Sequence, residues 1–137
     1  MANHGCCPPS ALPNPASPDP RHVRGASAEA LARKKLEAAG LVCLATNARF
    51  RRGEWDLVML EQELLVFVEV RLRSHGGYGG PLASVDRRKQ RKLMIAAALW
   101  TQQHLAHARR RMRFDVVGFH SLETEPTWIR DAWRADG

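Results

Sequence analysis

No stretch of the chain approaches the roughly 20 consecutive apolar residues that a membrane-crossing helix needs, so no membrane partner is expected. The first residues lack the charged-then-apolar layout of a secretory signal, and the expected location is cytoplasmic. Cysteine is scarce, at Cys6, Cys7 and Cys43. An odd count with an adjacent pair is not a disulfide framework and fits a reducing compartment. His4 lies close to Cys6 and Cys7, but the spacing matches no zinc pattern. The glycine-rich segment Ser74 to Pro81 is followed by no Gly-Lys-Ser/Thr, which excludes a P-loop phosphate cradle. His75 and Tyr78 on that segment are candidates for substrate contact. Few aromatics are placed for base stacking, which points away from sequence reading. There is no internal repeat, and nothing sets an oligomeric state.

What is abundant is positive charge: 21 Lys+Arg against 14 Asp+Glu, a formal net charge of +7. Residues 1–22 hold six of the eight prolines and one charge of each sign, Asp19 and Arg21, and read as a disordered leader that cannot build a core. Residues 23–137 form the single folded domain, and all of the excess charge belongs to it. The bases cluster at Arg49, Arg51 and Arg52, at Arg71 and Arg73, at Arg87, Arg88, Lys89, Arg91 and Lys92, and from Arg109 to Arg113. Such a field favours a polyanion, most simply nucleic acid; the competing reading is a solvated basic surface.

Ser27 to Ala39 reads as a helix capped by Ser27 and stopped at Gly40, with Ala28, Leu31, Ala32, Leu36 and Ala39 along one stripe. Glu29 falls at the margin of that stripe, and periodicity favours an exposed pair with Arg33 at i+4 over an inward role. Leu41 to Thr46 is a short strand. Two further strands, joined at Gln62-Glu63, carry Glu54 and Asp56 on the first and Glu69 and Arg71 on the second. A two-residue turn makes antiparallel partners sum to 125 and sets Asp56 opposite Glu69. Like charges facing one another are destabilising, so acid opposite acid marks a candidate cation site. Ser84 to about Ala108 is a long helix. At 100° per residue, Arg87, Arg88, Arg91 and Lys92 share the outer face, while Lys89 leads the inward stripe of Leu93, Ala96, Ala97, Trp100 and His104. An inward lysine needs an acidic partner, and the hairpin carboxylates are the obvious ones. Met112 to His120 is a strand in which Asp115 reads as the partner of a nearby arginine, and Trp128, Ile129 and Trp133 belong to a last short strand. The order αβββαβ predicts an α/β domain with a mixed central sheet flanked by helices.

Gly53-Glu-Trp-Asp56, then Phe67-Val-Glu-Val-Arg71, then Lys89-Gln90 on a helix, then Arg113-Phe-Asp-Val-Val117 together resemble the YraN family of small bacterial proteins. Through it the chain resembles the restriction-endonuclease-like PD-(D/E)xK nucleases and the archaeal Holliday-junction resolvases. The resemblance spans about Gly25 to Trp133. It implies a restriction-endonuclease-like αβββαβ core and a metal-dependent endonuclease. Asp56, Glu69 and the carbonyl of Val70 would ligate Mg²⁺ or Mn²⁺. Glu29 corresponds to the acid such nucleases often place on the first helix, and Glu54 to the family's Gly-Glu-x-Asp motif. The usual lysine two residues after the glutamate is Arg71 here. Arginine stabilises phosphate charge but is a poor base. Lys89 is therefore a second candidate for the missing ammonium.

The expected substrate is DNA, with branched or structured DNA implied by the resemblance. Arg49, Arg51, Arg52, Arg73, Arg87, Arg88, Arg91 and Lys92 would track its backbone. Two alternatives stand beside the enzyme: a nuclease-fold binding protein whose Arg71 neutralises Asp56 and Glu69 without metal, and a structural protein whose acids are ordinary ion pairs.

Overall fold

The computed structural model describes residues 20–72 and 84–134. Helix α1 runs Pro20–Ala38. It starts ahead of the expected cap at Ser27 and reaches into the stretch expected to be a leader. Proline fits a first helical turn, where its missing N–H costs no bond, and the single interior Gly25 costs only about 1 kcal/mol, too little to stop the helix. Gly40, at φ 101°, ends it as expected. Ala28, Ala32 and Leu36 are buried, whereas Leu31 and Ala39 are exposed, so the inward stripe is a narrow i, i+4 row.

Five strands follow: β1 (Val42–Arg49), β2 (Glu54–Glu61), β3 (Leu64–Leu72), β4 (Met112–Phe119) and β5 (Thr127–Trp133). They form one sheet in chain order, antiparallel throughout except for the parallel pair β3–β4. A parallel pair needs a crossover of a dozen or more residues, and helix α2 (Arg87–Gln103) lies within it. The two faces of the sheet carry separate cores. Under α1 lie Leu57, Met59, Val66, Val68, Val117 and Phe119. Under α2, Leu93, Ala96, Ala97 and Trp100 pack on Trp55, Phe67, Phe114 and Trp133. This is the expected mixed sheet flanked by helices, the restriction-endonuclease-like αβββαβ order with a fifth strand at the edge.

α2 is shorter than the expected 84–108. Asp86 caps its start by accepting the Lys89 N–H at 2.9 Å. At its end His104 folds back, its Nδ1 2.8 Å from the Trp100 carbonyl and its ring stacked 3.9 Å from the Trp100 indole. His104 is thus at the rim, Trp100 is core, and a short 3₁₀ turn (Leu105–His107) continues the chain. Asp115 is fully buried and takes both Nε and Nη2 of Arg113, at 2.8 and 2.9 Å, the expected arginine partnership. It also accepts from the Trp128 indole at 2.9 Å and the Asp131 N–H at 3.0 Å, which ties β4 to β5. Cys43 is buried beneath α1. Among the described residues no helix is long and apolar enough to cross a membrane.

Candidate acidic site between strands β2 and β3

The β2–β3 pairing runs from Glu61↔Leu64 to Leu57↔Val68. Every pair sums to 125, as a two-residue turn at Gln62-Glu63 requires; Gln62 takes the left-handed conformation there, at φ 55°. Beyond Leu57↔Val68 the ladder stops. Trp55 belongs to the core under α2 and Leu57 to the core under α1, although residues two apart on a regular strand share a face. The alternation is therefore interrupted at Asp56. The carboxylate of Asp56 takes the place of a backbone partner and accepts the Val70 N–H at 2.7 Å. The indole N–H of Trp55 donates to the Leu93 carbonyl at 2.9 Å, which locks the displaced stretch onto α2.

Glu69 is 3 % exposed. Its carboxylate meets Nη1 of Arg71 at 3.1 Å and Nζ of Lys89 at 3.3 Å. The inward turn of Lys89 thus finds the acidic partner that its position demands. Arg71 is held from behind, since its Nε donates to the Ser84 hydroxyl at 2.9 Å.

Glu29 corrects the expectation drawn from periodicity. Arg33 pairs with Glu37 at 2.9 Å instead, and Glu29 turns inward to share a carboxyl–carboxyl hydrogen bond with Asp56. Asn47 sits at φ 52°, a left-handed conformation that asparagine tolerates. Its amide, oriented as its neighbours require, donates to Glu54 at 3.3 Å and to Glu29 at 3.1 Å. Glu54 also faces Nε of Arg49 at 3.4 Å. Asn47 and Ser84 are the site residues that motif reasoning passes over. The only sequence signal for Asn47 is its residue type just ahead of the basic turn, and Ser84 carries none.

Charge is distributed unevenly among these acids. Glu69 has two cations. Asp56 has none within ion-pair distance among the described residues. Burial, then the neighbouring Glu69, push the Asp56 carboxyl up from its ordinary 3.8 to about 9, with Glu29 adding to the rise; the Val70 N–H opposes it. Burial also raises Glu29, and the charges of Glu54 and Glu69 add to that, while its hydrogen bond to Asp56 opposes it. Without a further cation, Glu29 and Asp56 hold a proton between them.

The acids open onto a cavity of about 400 Å³. Its walls bring together Glu54, Asp56, Glu69, Val70, Arg71 and Lys89, with Arg52 and Lys92 at its edge. Gly53 makes this junction possible: a Cβ there would lie 3.0 Å from the Lys92 carbonyl oxygen. Arg51 and Arg52 occupy the exposed turn that Gly53 closes through the Phe50 N–H to Gly53 O bond of 2.8 Å. Arg87, Arg88 and Arg91 lie on the exposed face of α2 outside the cavity walls. Arg73, His75 and Tyr78 lie outside the described residues.

Among the described residues no three His, Cys, Asp or Glu side chains converge as a preformed cage. The oxygen donors that the cavity wall does bring together are the carboxylates of Asp56 and Glu69, on either side of Val70. That set suits a hard divalent ion that keeps several of its waters. Asp56, with no cation within ion-pair distance among the described residues, fits the same assignment, because a divalent ion would take the place of its proton and offset the repulsion of the ionised group by Glu69.

The model of the uncharacterised protein family UPF0102 matches residues 28–119. A UPF0102 protein of Xanthomonas campestris is 51 % identical over 119 residues, covering 87 % of this chain and 98 % of that one. One from Halorhodospira halophila is 52 % identical over 118 residues, covering 86 % and 92 %. One from Bordetella avium is 49 % identical over 116 residues, covering 85 % and 78 %.

Proposed function

The chain belongs to the uncharacterised protein family UPF0102, and we propose that it is a metal-dependent nuclease that hydrolyses phosphodiester bonds in DNA. The observation that carries this reading is Asp56, crowded by Glu69 and Glu29 and with no cation within ion-pair distance among the described residues. Asp56, Glu69 and the Val70 carbonyl would hold Mg²⁺ or Mn²⁺. When bound, such an ion polarises the phosphoryl oxygen and lowers the pKa of its water.

The protein's own residues divide the remaining work. Glu29 takes up or releases the proton it shares with Asp56. Arg71 and Lys89 both sit on Glu69, and either can offer positive charge to a phosphate oxygen entering the cavity. A guanidinium is a poor base, so Arg71 serves charge stabilisation and not proton removal. Ser84 fixes the direction of its guanidinium. Arg52 and Lys92 meet the phosphates flanking the scissile bond, and Arg49, Arg51, Arg87, Arg88 and Arg91 extend the basic track. Such contacts position a backbone and carry no base readout, which supports recognition of DNA shape. The cytoplasm is the compartment proposed for this activity.

A second reading is favoured by Glu69 itself: two cations already neutralise it, as a nuclease-fold DNA-binding protein without cleavage would have it. The test is cleavage of labelled single-stranded, duplex, flap and four-way DNA with Mg²⁺, Mn²⁺ or EDTA. The nuclease reading expects metal-dependent products that Asp56→Ala and Glu69→Ala abolish. Binding with no cutting in either metal establishes the second reading instead.

A further inference from the structure

A second concavity lies at the opposite end of β2 and β3, beside their Gln62-Glu63 turn, roughly 20 Å along the strand from Asp56 at 3.3 Å per residue. Its volume is about 1560 Å³. The wall is formed by Arg109, Arg110, Arg111 and Met112 as the chain enters β4, by Leu105 of the 3₁₀ turn, and by Trp133 of β5. Two features set this groove apart from an ordinary solvated basic surface. The first is unspent charge. Arg110 is paired with Glu63 at 2.7 Å, and Arg113 with Glu61 at 2.8 Å. Arg109 and Arg111 are exposed and have no acid within ion-pair distance among the described residues. The second is exposed apolar surface amid that charge. Leu105 is 78 % exposed and Met112 43 % exposed.

We propose that this groove, carrying Arg109, Arg111, Leu105 and Met112, is a docking site for an acidic peptide segment with at least one large apolar side chain. Charge complementarity selects the acidic part, since two unpaired guanidiniums flank the groove and each makes a strong bidentate bond to a carboxylate. The apolar walls select the rest: Leu105 and Met112 gain by covering with a hydrocarbon side chain and gain nothing from a phosphate backbone. The chain's own N-terminal stretch does not match, because residues 1–22 contain a single acid, Asp19. A second copy does not match either, since a chain of 21 bases and 14 acids is itself predominantly basic. The occupant is therefore a partner protein that offers an acidic, apolar-anchored segment. This inference stands apart from the nuclease reading and uses none of its residues.

The experiment is selection of a random dodecapeptide library on the full chain, followed by fluorescence anisotropy with the enriched peptides. The expected result is enrichment of sequences combining Asp or Glu with Leu, Phe, Ile or Trp. Their affinity should fall about tenfold for each of Arg109→Glu and Arg111→Glu, and should fall again for Leu105→Ser. These are exposed positions, and an unchanged melting temperature confirms that the variants fold. Three results overturn the proposal: no enrichment, enriched peptides that bind these variants as they bind the parent, or displacement of the peptide by a labelled DNA duplex whose own binding is lost with Arg109→Glu and Arg111→Glu. The last would make the groove a nucleic-acid surface.

Discussion

Replacing Asp56 with asparagine should strengthen the metal-free fold while destroying its response to metal. In the parent, Asp56 is held protonated at neutral pH because burial and the neighbouring acids push it up to about 9. Its folded value lies above its unfolded value, so its contribution to stability is fully present below about 4 and is lost as pH rises towards about 9. Keeping the group neutral at pH 7 costs the difference between pH 7 and the ordinary value of 3.8. At about 1.4 kcal/mol per pH unit, this is a ceiling of ~4 kcal/mol at pH 7 and ~2 kcal/mol at pH 5. Asparagine is neutral at every pH and has nearly the same shape. Its carbonyl can still accept the Val70 N–H, and its amide can donate to Glu29, so neither partner is orphaned. Partial exposure and the proton shared with Glu29 reduce the gain, and about 2 kcal/mol at pH 7 is the realistic expectation. For a domain of this size that is a rise in melting temperature on the order of 10 °C. The assay is thermal unfolding of parent and Asp56→Asn at pH 5, 7 and 8, in EDTA and in millimolar Mn²⁺. The variant should melt higher than the parent in EDTA, by a margin that widens with pH, and Mn²⁺ should raise only the parent. A variant that melts lower than the parent by the same amount at all three pH values would refute the reasoning. Asp56 would then be a structural acceptor and not a strained acid awaiting a cation.

Four further outcomes follow from the same geometry. The stabilisation of the parent by Mn²⁺ should grow as pH rises from 6 to 9, since the ion must displace the proton held on Asp56; a midpoint shift that shrinks with pH contradicts this. Asp115→Ala should cost about 2–4 kcal/mol, because it leaves Arg113 with Glu61 as its one acid among the described residues and takes away the acceptor of the Trp128 N–H, and urea unfolding will read it. Gly53→Ala should cost about 1–3 kcal/mol, as its Cβ would press on a backbone oxygen of α2. It should also weaken DNA binding more than Ala98→Gly on the exposed side of α2, because it separates Arg52 from Lys92. Finally, if six basic side chains on this rim meet phosphates, the logarithm of DNA affinity should fall with the logarithm of salt at a slope of about −5, and charge removal at Lys92 should lower that slope by about one.

Much of the architecture was legible in the linear chain because it rests on short-range rules. The turn length at Gln62-Glu63 alone dictates the register that sums to 125. The 100° spacing of α2 turns Lys89 away from Arg88 and towards the hairpin acids, and the structure finds it on Glu69. Arg113 and Asp115 are two apart on a strand, so they share a face and pair. The motif spacing around Gly53 and Glu69 resembles one family, and the chain belongs to it. What the sequence by itself could not decide were contacts between elements far apart in the chain. Periodicity leaves Glu29 at a helix margin with Arg33 one turn away, and only the seating of α1 over β2 gives it to Asp56 instead. Regular alternation predicts that Trp55 and Leu57 share a face, but the Trp55–Leu93 hydrogen bond draws Trp55 to α2 and leaves Asp56 between the strands. Arg71 departs from the residue its motif leads one to expect, and Ser84 then decides where its charge points. Local spacing determined which acids and bases the chain carries on each element; the packing of α1 and α2 on opposite faces of one sheet decided which acid has no cation beside it among the described residues.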